Sequence, residues 1–273
     1  MRPDDFITVT SSCEIALYLN ESYKLAPNLV RPLSVYNTKQ VQCWEKMAHT
    51  FNAGIELTFT DDNIAILRMR NGENRIDRTF VEAFNKALDA VERNPGCWAL
   101  ITTAEGKFYS NGLNLDFLKS KETAFGELCR RLLTFPVVTV AAINGHAFAG
   151  GALLALHQDF RVMRTKRGWI SLNEVFINAP LGSYMPVIRA KLSGRAALDL
   201  AVLGKRYTAE EAKDYGIVDL TSSQEDLMSS ARALANQYTS KQKYDRDTLR
   251  AFKEDLYRDI VNTHPLPLEK SRL

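Results

Sequence analysis

Metal chemistry and disulfide stapling are both poorly served by this chain of 273 residues. It holds 4 cysteines, Cys13, Cys43, Cys97 and Cys129, with no CxxC pair, and 4 histidines, His49, His146, His157 and His264, with no HExxH arrangement. Those gaps argue against a zinc ribbon and a disulfide framework; free thiols in a reducing compartment are the expectation. No apolar run approaches the ~18 residues of a transmembrane helix, and Asp4 and Asp5 interrupt any signal-peptide core, so the reading is an intracellular protein with no membrane span. GxGxxG, P-loop and GxSxG signatures are missing, which sets aside the common dinucleotide, nucleotide and serine-hydrolase designs. An excess of one charge is missing too. The 35 basic and 32 acidic residues leave +3, too even for a nucleic-acid face yet suited to a polyanionic small molecule.

What is present is ordinary globular composition, 45% hydrophobic and 25% charged, in a chain long enough to bury its own core. Residues 1–53 show no sustained period and read as an N-terminal extension, with a short helix around Thr38 to Phe51. From Gly54 the pattern sharpens. Ile55, Leu57 and Phe59 alternate with polar residues, Asp61-Asp62-Asn63 turns, and Ile64 to Met69 returns, which predicts a hairpin. Asp77 caps a helix with Phe80, Phe84, Leu88 and Val91 on one face. Apolar strands at Cys97 to Thr103 and Val137 to Ile143 alternate with helices carrying Phe125, Leu128 and Leu132 and spanning Gly150 to His157, the order of an α/β domain with parallel strands. Ser193 caps Gly194 to Leu203, Thr208 to Glu211 is a capping box, and Ile217 to Leu220 is a short strand. Leu249, Phe252, Leu256 and Ile260 form the stripe of a final amphipathic helix, which either folds back or packs on a neighbouring subunit.

Two loops follow buried strands, where α/β sheets hold ligands. The first is Gly106 to Leu115, containing Tyr109-Ser110-Asn111-Gly112-Leu113; the second is Asn144 to Leu153, containing Ala149-Gly150-Gly151. Glycines beside a helix start leave N–H groups approachable, and two such loops can aim one N–H each at a single oxygen. Taken alone, each loop is better explained by tight turns and close helix packing.

With Ile170-Ser171-Leu172-Asn173-Glu174-Val175 and the Thr208 to Asp219 unit, these loops resemble, in order, the motifs of the crotonase (enoyl-CoA hydratase/isomerase) superfamily over about Gly54 to Leu220. The resemblance implies a crotonase-like ββα superhelix with a helical C-terminal region: an extension at 1–53, a catalytic core at 54–220, a helical region at 221–270 and a tail at 271–273. It implies an acyl-CoA substrate, no cofactor beyond the coenzyme A that the substrate carries, and a homotrimer or dimer of trimers. Leu113 and Gly150 would supply the oxyanion N–H groups, and Ser110, Asn111, Gly112, Leu113, Gly150 and Leu153 would line the substrate site. Hydratases of the family carry a second glutamate at the position of Leu153, and dienoyl-CoA isomerases carry acids matching Leu153 and Gly182. Here Glu174 stands alone, the pattern of Δ3-Δ2-enoyl-CoA isomerases in unsaturated fatty-acid β-oxidation. The alternatives are another single-acid reaction such as thioester hydrolysis, or a non-catalytic acyl-CoA-binding module. His146 and His157 read as packing or capping residues, Asp159 as structural, and Phe148, Trp169 and Phe176 as either pocket lining or core. Ser271-Arg272-Leu273 is a variant of the S-K-L address, predicting a peroxisomal import receptor as partner.

Overall fold

Alternation at Ile55 and Leu57 does produce a strand, and it starts a sheet that the chain extends in order. The computed structural model describes residues 48–120, 123–239 and 244–262. Strand β1 (His49–Phe51) lies antiparallel to β2 (Ile55–Phe59), which pairs antiparallel with β3 (Ile64–Met69). From there the sheet turns parallel through β4 (Ala99–Ala104), β6 (Val138–Ile143), β8 (Phe160–Arg164) and β10 (Leu220–Ser222). Short strands β5 (Phe108–Ser110), β7 (His146–Phe148) and β9 (Ile170–Ser171) form a second, parallel sheet. Each turn of the chain therefore gives one strand to each sheet, a superhelix of ββα units.

Helices cover the large sheet on both faces, so β4 and β6 are buried throughout. Helix α1 (Arg78–Arg93) starts at Asp77, whose side chain accepts the Phe80 N–H, and buries Phe80, Phe84, Leu88 and Val91 against Leu57, Leu67 and Leu100. Next come α2 (Leu115–Lys119), α3 (Ala124–Leu133) and α4 (Gly150–Leu156). Helices α5 (Met185–Lys191) and α6 (Gly194–Ala197, capped by Ser193 and continued by a π turn over Leu198–Val202) lead to α7 (Ala209–Asp214), whose Thr208–Glu211 capping box is formed. On the opposite face, α8 (Leu227–Thr239) packs Leu227, Ala231 and Leu234 against Ile101, Val140 and Val162. Helices α9 (Arg246–Leu256) and α10 (Arg258–Val261) close the described chain.

Three expectations change. His49–Phe51 is a strand of the sheet and Phe51 packs on the core, so the fold reaches back past residue 54 and the helix placed over Thr38 to Phe51 does not include its last three residues; the remainder of 1–53 up to Met47 lies outside the described residues. The strand expected at Ile217 to Leu220 begins only at Leu220, because the Ile217 and Val218 N–H groups both bond the Ala212 carbonyl and use these apolar residues to seal the end of α7. The final stripe, expected to fold back or to meet a neighbouring subunit, divides: Phe252 and Leu256 are 72% and 73% exposed in the single chain, while Ile260 packs on the core. Lys253 is the buried residue of α9, donating to the Phe135 and Val137 carbonyls and pairing with Asp159 at 2.6 Å. Three acceptors for one ammonium set the rotation of the helix.

Candidate active site

The first loop leaves β5 through Tyr109 and Ser110, both fully buried. Tyr109 Oη lies 2.7 Å from Thr102 Oγ1 and accepts from Gln158 Nε2 at 3.1 Å, while Thr102 Oγ1 donates to Gln158 Oε1 at 2.9 Å. This closed triangle ties β4, β5 and the residue following α4 and its C-cap together. The Ser110 hydroxyl donates to the Asn74 carbonyl and accepts the Gly112 N–H; it is spent on the backbone. The Asn111 amide donates to Glu73. The Leu113 N–H has no acceptor among the described residues.

The second loop leaves β7 at Phe148. The Ala149 N–H bonds the Ser171 carbonyl at 2.9 Å, and the Ala149 carbonyl accepts the Leu153 N–H inside α4. Between them Ala149 holds φ 50° and ψ −122°, a costly conformation for a residue with a Cβ, and the Gly150 N–H has no acceptor among the described residues. The loops touch. A Cβ on Gly112, which has φ +78°, would lie 3.1 Å from the Gly150 nitrogen, and one on Gly150 would lie 3.3 Å from the Leu113 nitrogen. Gly112 and Gly150 are thus required by close approach, and two free N–H groups lie side by side.

Glu174 follows β9, which pairs with β7 through Ala147–Ile170 and Phe148–Ser171, so the strand ends that carry Gly150 and Glu174 leave the small sheet together. It opens a single 3₁₀ turn, Glu174–Ile177. Its Oε2 is shut off from solvent with no hydrogen-bond partner, as is Asn173 Oδ1. Burial pushes the Glu174 carboxyl up to about 7, offset only by its own backbone N–H. A buried acceptor with no partner is rare in a finished structure, and a carboxyl poised near neutrality suits proton transfer in either direction. Leu153 is buried on α4. His157 Nδ1 lies 2.7 Å from the Leu153 carbonyl, and burial holds the ring neutral, down to about 4. Its ring meets Tyr184 edge-on at 6.2 Å, and Tyr184 packs on Phe125 at 6.0 Å. Proximity to Cys129 and Glu174 adds to burial in pushing the Tyr184 phenol upward.

Of the expected site residues, Leu113 and Gly150 converge as free donors and Glu174 lies at the neighbouring strand end. The Ser110 and Asn111 side chains bond within the protein, to Asn74, Gly112 and Glu73. His146 is packed among Phe108, Phe148 and Trp169 and accepts the Trp169 N–H at Nδ1. Asp159 bonds Thr139 as well as Lys253. Asn74 and Tyr184 were not anticipated, since neither belongs to the motifs singled out in the sequence. Cys97 and Cys129 are buried free thiols. A cleft of about 470 Å³ lined by Arg131, Glu92, Arg250 and Glu254 lies between α1, α3 and α9, remote from these groups.

Two interleaved sheets wound from ββα turns define a crotonase-type fold. The chain belongs to the enoyl-CoA hydratase/isomerase family, whose sequence model matches residues 60–270. It is 32% identical over 170 residues to peroxisomal enoyl-CoA delta isomerase 1 of Arabidopsis thaliana, covering 58% of this chain and 71% of that protein. It is 30% identical over 192 residues to a carnitinyl-CoA dehydratase of Salmonella arizonae, covering 67% and 73%. The fold superposes on a Mycobacterium tuberculosis protein, described in one structure as an enoyl-CoA isomerase and in another as a probable enoyl-CoA hydratase, with TM-score 0.71 at 26% identity in the first, covering 79% of this chain and 95% of that one. The family therefore includes both double-bond migration and water chemistry.

Proposed function

We propose that the protein is a Δ3-Δ2-enoyl-CoA isomerase, moving the double bond of a 3-enoyl-CoA to the trans-2 position. The observation that carries this reading is the single acid at this strand end: Glu174 has its Oε2 shut off from solvent without a partner and its carboxyl raised to about 7, and the position where hydratases hold a second glutamate is the buried Leu153. Water addition needs two groups to hold and activate the water. Double-bond migration needs one. The Glu174 carboxylate takes a C2 proton, the charge moves onto the thioester oxygen, and the Leu113 and Gly150 N–H groups stabilise it there. The resulting carboxylic acid then returns the proton to C4 on the same face. A donor of this kind is worth about 3–4 kcal/mol of barrier. Coenzyme A enters and leaves with the substrate, and the reaction consumes nothing else.

The test is a product assay on 3-hexenoyl-CoA beside crotonyl-CoA and decanoyl-CoA. Conversion of the first to trans-2-hexenoyl-CoA, with little hydration of the second and no hydrolysis of the third, is expected; rapid hydration of crotonyl-CoA overturns the assignment. Peroxisomal residence is part of the proposal, supported by Ser271-Arg272-Leu273, which lies outside the described residues, and by the Arabidopsis peroxisomal isomerases among the relatives. A homotrimer is the other part. Val175, Phe176 and Ile177 beside Leu198, Val202 and Leu203 are large apolar side chains left exposed in a single chain, more than a monomer ordinarily leaves together. Light scattering giving three chain masses, or a multiple of three, is the expected result.

A further inference from the structure

The loop that joins β3 to α1 is remote in sequence from the first candidate oxyanion loop, yet it is bonded to that loop residue by residue. The Asn111 N–H donates to the Glu73 carbonyl at 2.9 Å, the Ile76 N–H to the Gly112 carbonyl at 2.9 Å, and the Asn114 N–H to the Ile76 carbonyl at 2.8 Å. Asn74 is the centre of this seam. It is fully buried in a left-handed conformation, φ 48°. Its Oδ1 accepts the Asn71 N–H at 2.8 Å, its Nδ2 donates to the Phe108 carbonyl at 3.2 Å, and its own carbonyl accepts the Ser110 hydroxyl at 2.8 Å. Ser110 Oγ in turn accepts the Gly112 N–H at 3.2 Å.

Both polar groups of Gly112 are thereby committed, and the next peptide has one orientation left. The Gly112–Leu113 peptide is planar and trans, so its N–H points opposite to its carbonyl. With that carbonyl held by Ile76, the Leu113 N–H faces away from the seam, toward Gly150. A glycine at Gly112 resists a peptide flip only through such bonds, since its own backbone permits either arrangement.

We propose that Asn74 and Ser110 are positioning residues that lock the Gly112–Leu113 peptide so that the Leu113 N–H meets the thioester oxygen. The proposal rests on the reading of Leu113 and Gly150 as the oxyanion donors. Neither side chain touches substrate; each acts through the direction of one backbone donor. Loss of the Ser110 hydroxyl leaves the Gly112 N–H and the Asn74 carbonyl unpaired in a buried seam, and the loop then samples orientations in which the donor is turned away.

The test uses Ser110→Ala, Ser110→Cys and Asn74→Gly in the full chain, the last keeping the left-handed backbone free of strain while removing the side chain. The probe is decanoyl-CoA carrying ¹³C at the thioester carbonyl, an unreactive ligand whose infrared stretch falls when the oxygen accepts hydrogen bonds. Bound to the unaltered protein, the stretch is expected to fall relative to free ligand. In Ser110→Ala and Asn74→Gly most of that fall disappears, and kcat on 3-hexenoyl-CoA drops about 10–100-fold while KM moves less than about threefold, the mark of an interaction strengthened in the transition state. Ser110→Cys, with a weaker donor at the same place, restores part of the shift. Folded variants that keep the full carbonyl shift overturn the proposal. So does a loss of kcat that merely tracks the folded fraction. If the unaltered protein shifts the carbonyl, the variants abolish that shift, and no isomerisation occurs, the lock stands and the isomerase reading falls. If the unaltered protein shows no shift, the donor assignment and the lock fall together.

Discussion

A carboxyl that titrates near pH 7 ties activity and stability to pH with opposite signs. Glu174 acts as a base only when ionised, so turnover rises with pH through about 7. Its folded-state value lies above the ordinary 4.5, so the folded state binds more protons than the unfolded state between those values, and stability falls as pH rises across that window. Glu174→Gln removes both effects. Turnover is expected to fall by at least ~10³-fold, since one group serves both half-reactions, while acyl-CoA affinity holds because the donors at Leu113 and Gly150 are backbone groups. The same variant should be more stable than the parent at pH 8, by on the order of 3 kcal/mol, and nearly equal to it at pH 4.5; paired kinetic and thermal-melt series check both signs. Leu153→Glu is the complementary change. Another carboxylate on α4 is expected to create measurable hydration of crotonyl-CoA at a cost in stability, read by loss of absorbance of the conjugated thioester. Glu174, Leu113 and Gly150 could be singled out in the sequence because they sit in short ordered motifs. Ser110 could be singled out as a member of the loop, but not the bond of its hydroxyl to a carbonyl 36 residues earlier.

Among the elements, α9 departs furthest from its pattern. Its 3.6-residue stripe offered an apolar face either to fold back or to meet a neighbouring subunit, yet within the chain the buried residue of α9 is Lys253. Periodicity weighs apolar surface and ignores what an ammonium gains from two carbonyls and a carboxylate, and that gain is visible only once Phe135, Val137 and Asp159 have been brought together by the sheet. Lys253→Met is expected to cost about 3–5 kcal/mol, because it strands Asp159 and two carbonyls in a buried place. Denaturant unfolding checks the value, and adding Asp159→Asn should cost less than the sum of the single changes. Helix α1, by contrast, was legible from cap to last turn, since Asp77 and the Phe80, Phe84, Leu88 and Val91 spacing are local and agree with the burial found. The strand misplaced at Ile217 shows the converse: a β-branched apolar pair was enough to suggest pairing, but the helix end claimed both N–H groups first.

For the whole molecule, the boundary at residue 54 cuts through the first hairpin. A chain beginning at Ala48 retains β1 and should keep the parent's melting temperature, whereas one beginning at Gly54 exposes the edge of β2 and frees the place of Phe51; a drop of several degrees is expected, on the order of 1–2 kcal/mol for a lost edge strand and its apolar contact. Residues 49–51 escaped the sequence pattern because three residues are too few to display a period of two. The strand orders, β1-β2-β3-β4-β6-β8-β10 in one sheet and β5-β7-β9 in the other, have a further consequence, for synthesis. In both sheets each strand is laid against one the ribosome has already released, so no strand has to leave a gap for a later neighbour. The chain can wind up from its N-terminal side as it emerges, with parallel edges exposed only one turn at a time. Side-chain ties of the late helices depart from this order, among them Arg250 to Glu92 and those of Lys253. The Lys253 bonds reach back 118, 116 and 94 residues, so the clasp closes only after the sheet beneath it is complete, and a nascent chain halted before α9 would carry the finished winding without its fastening.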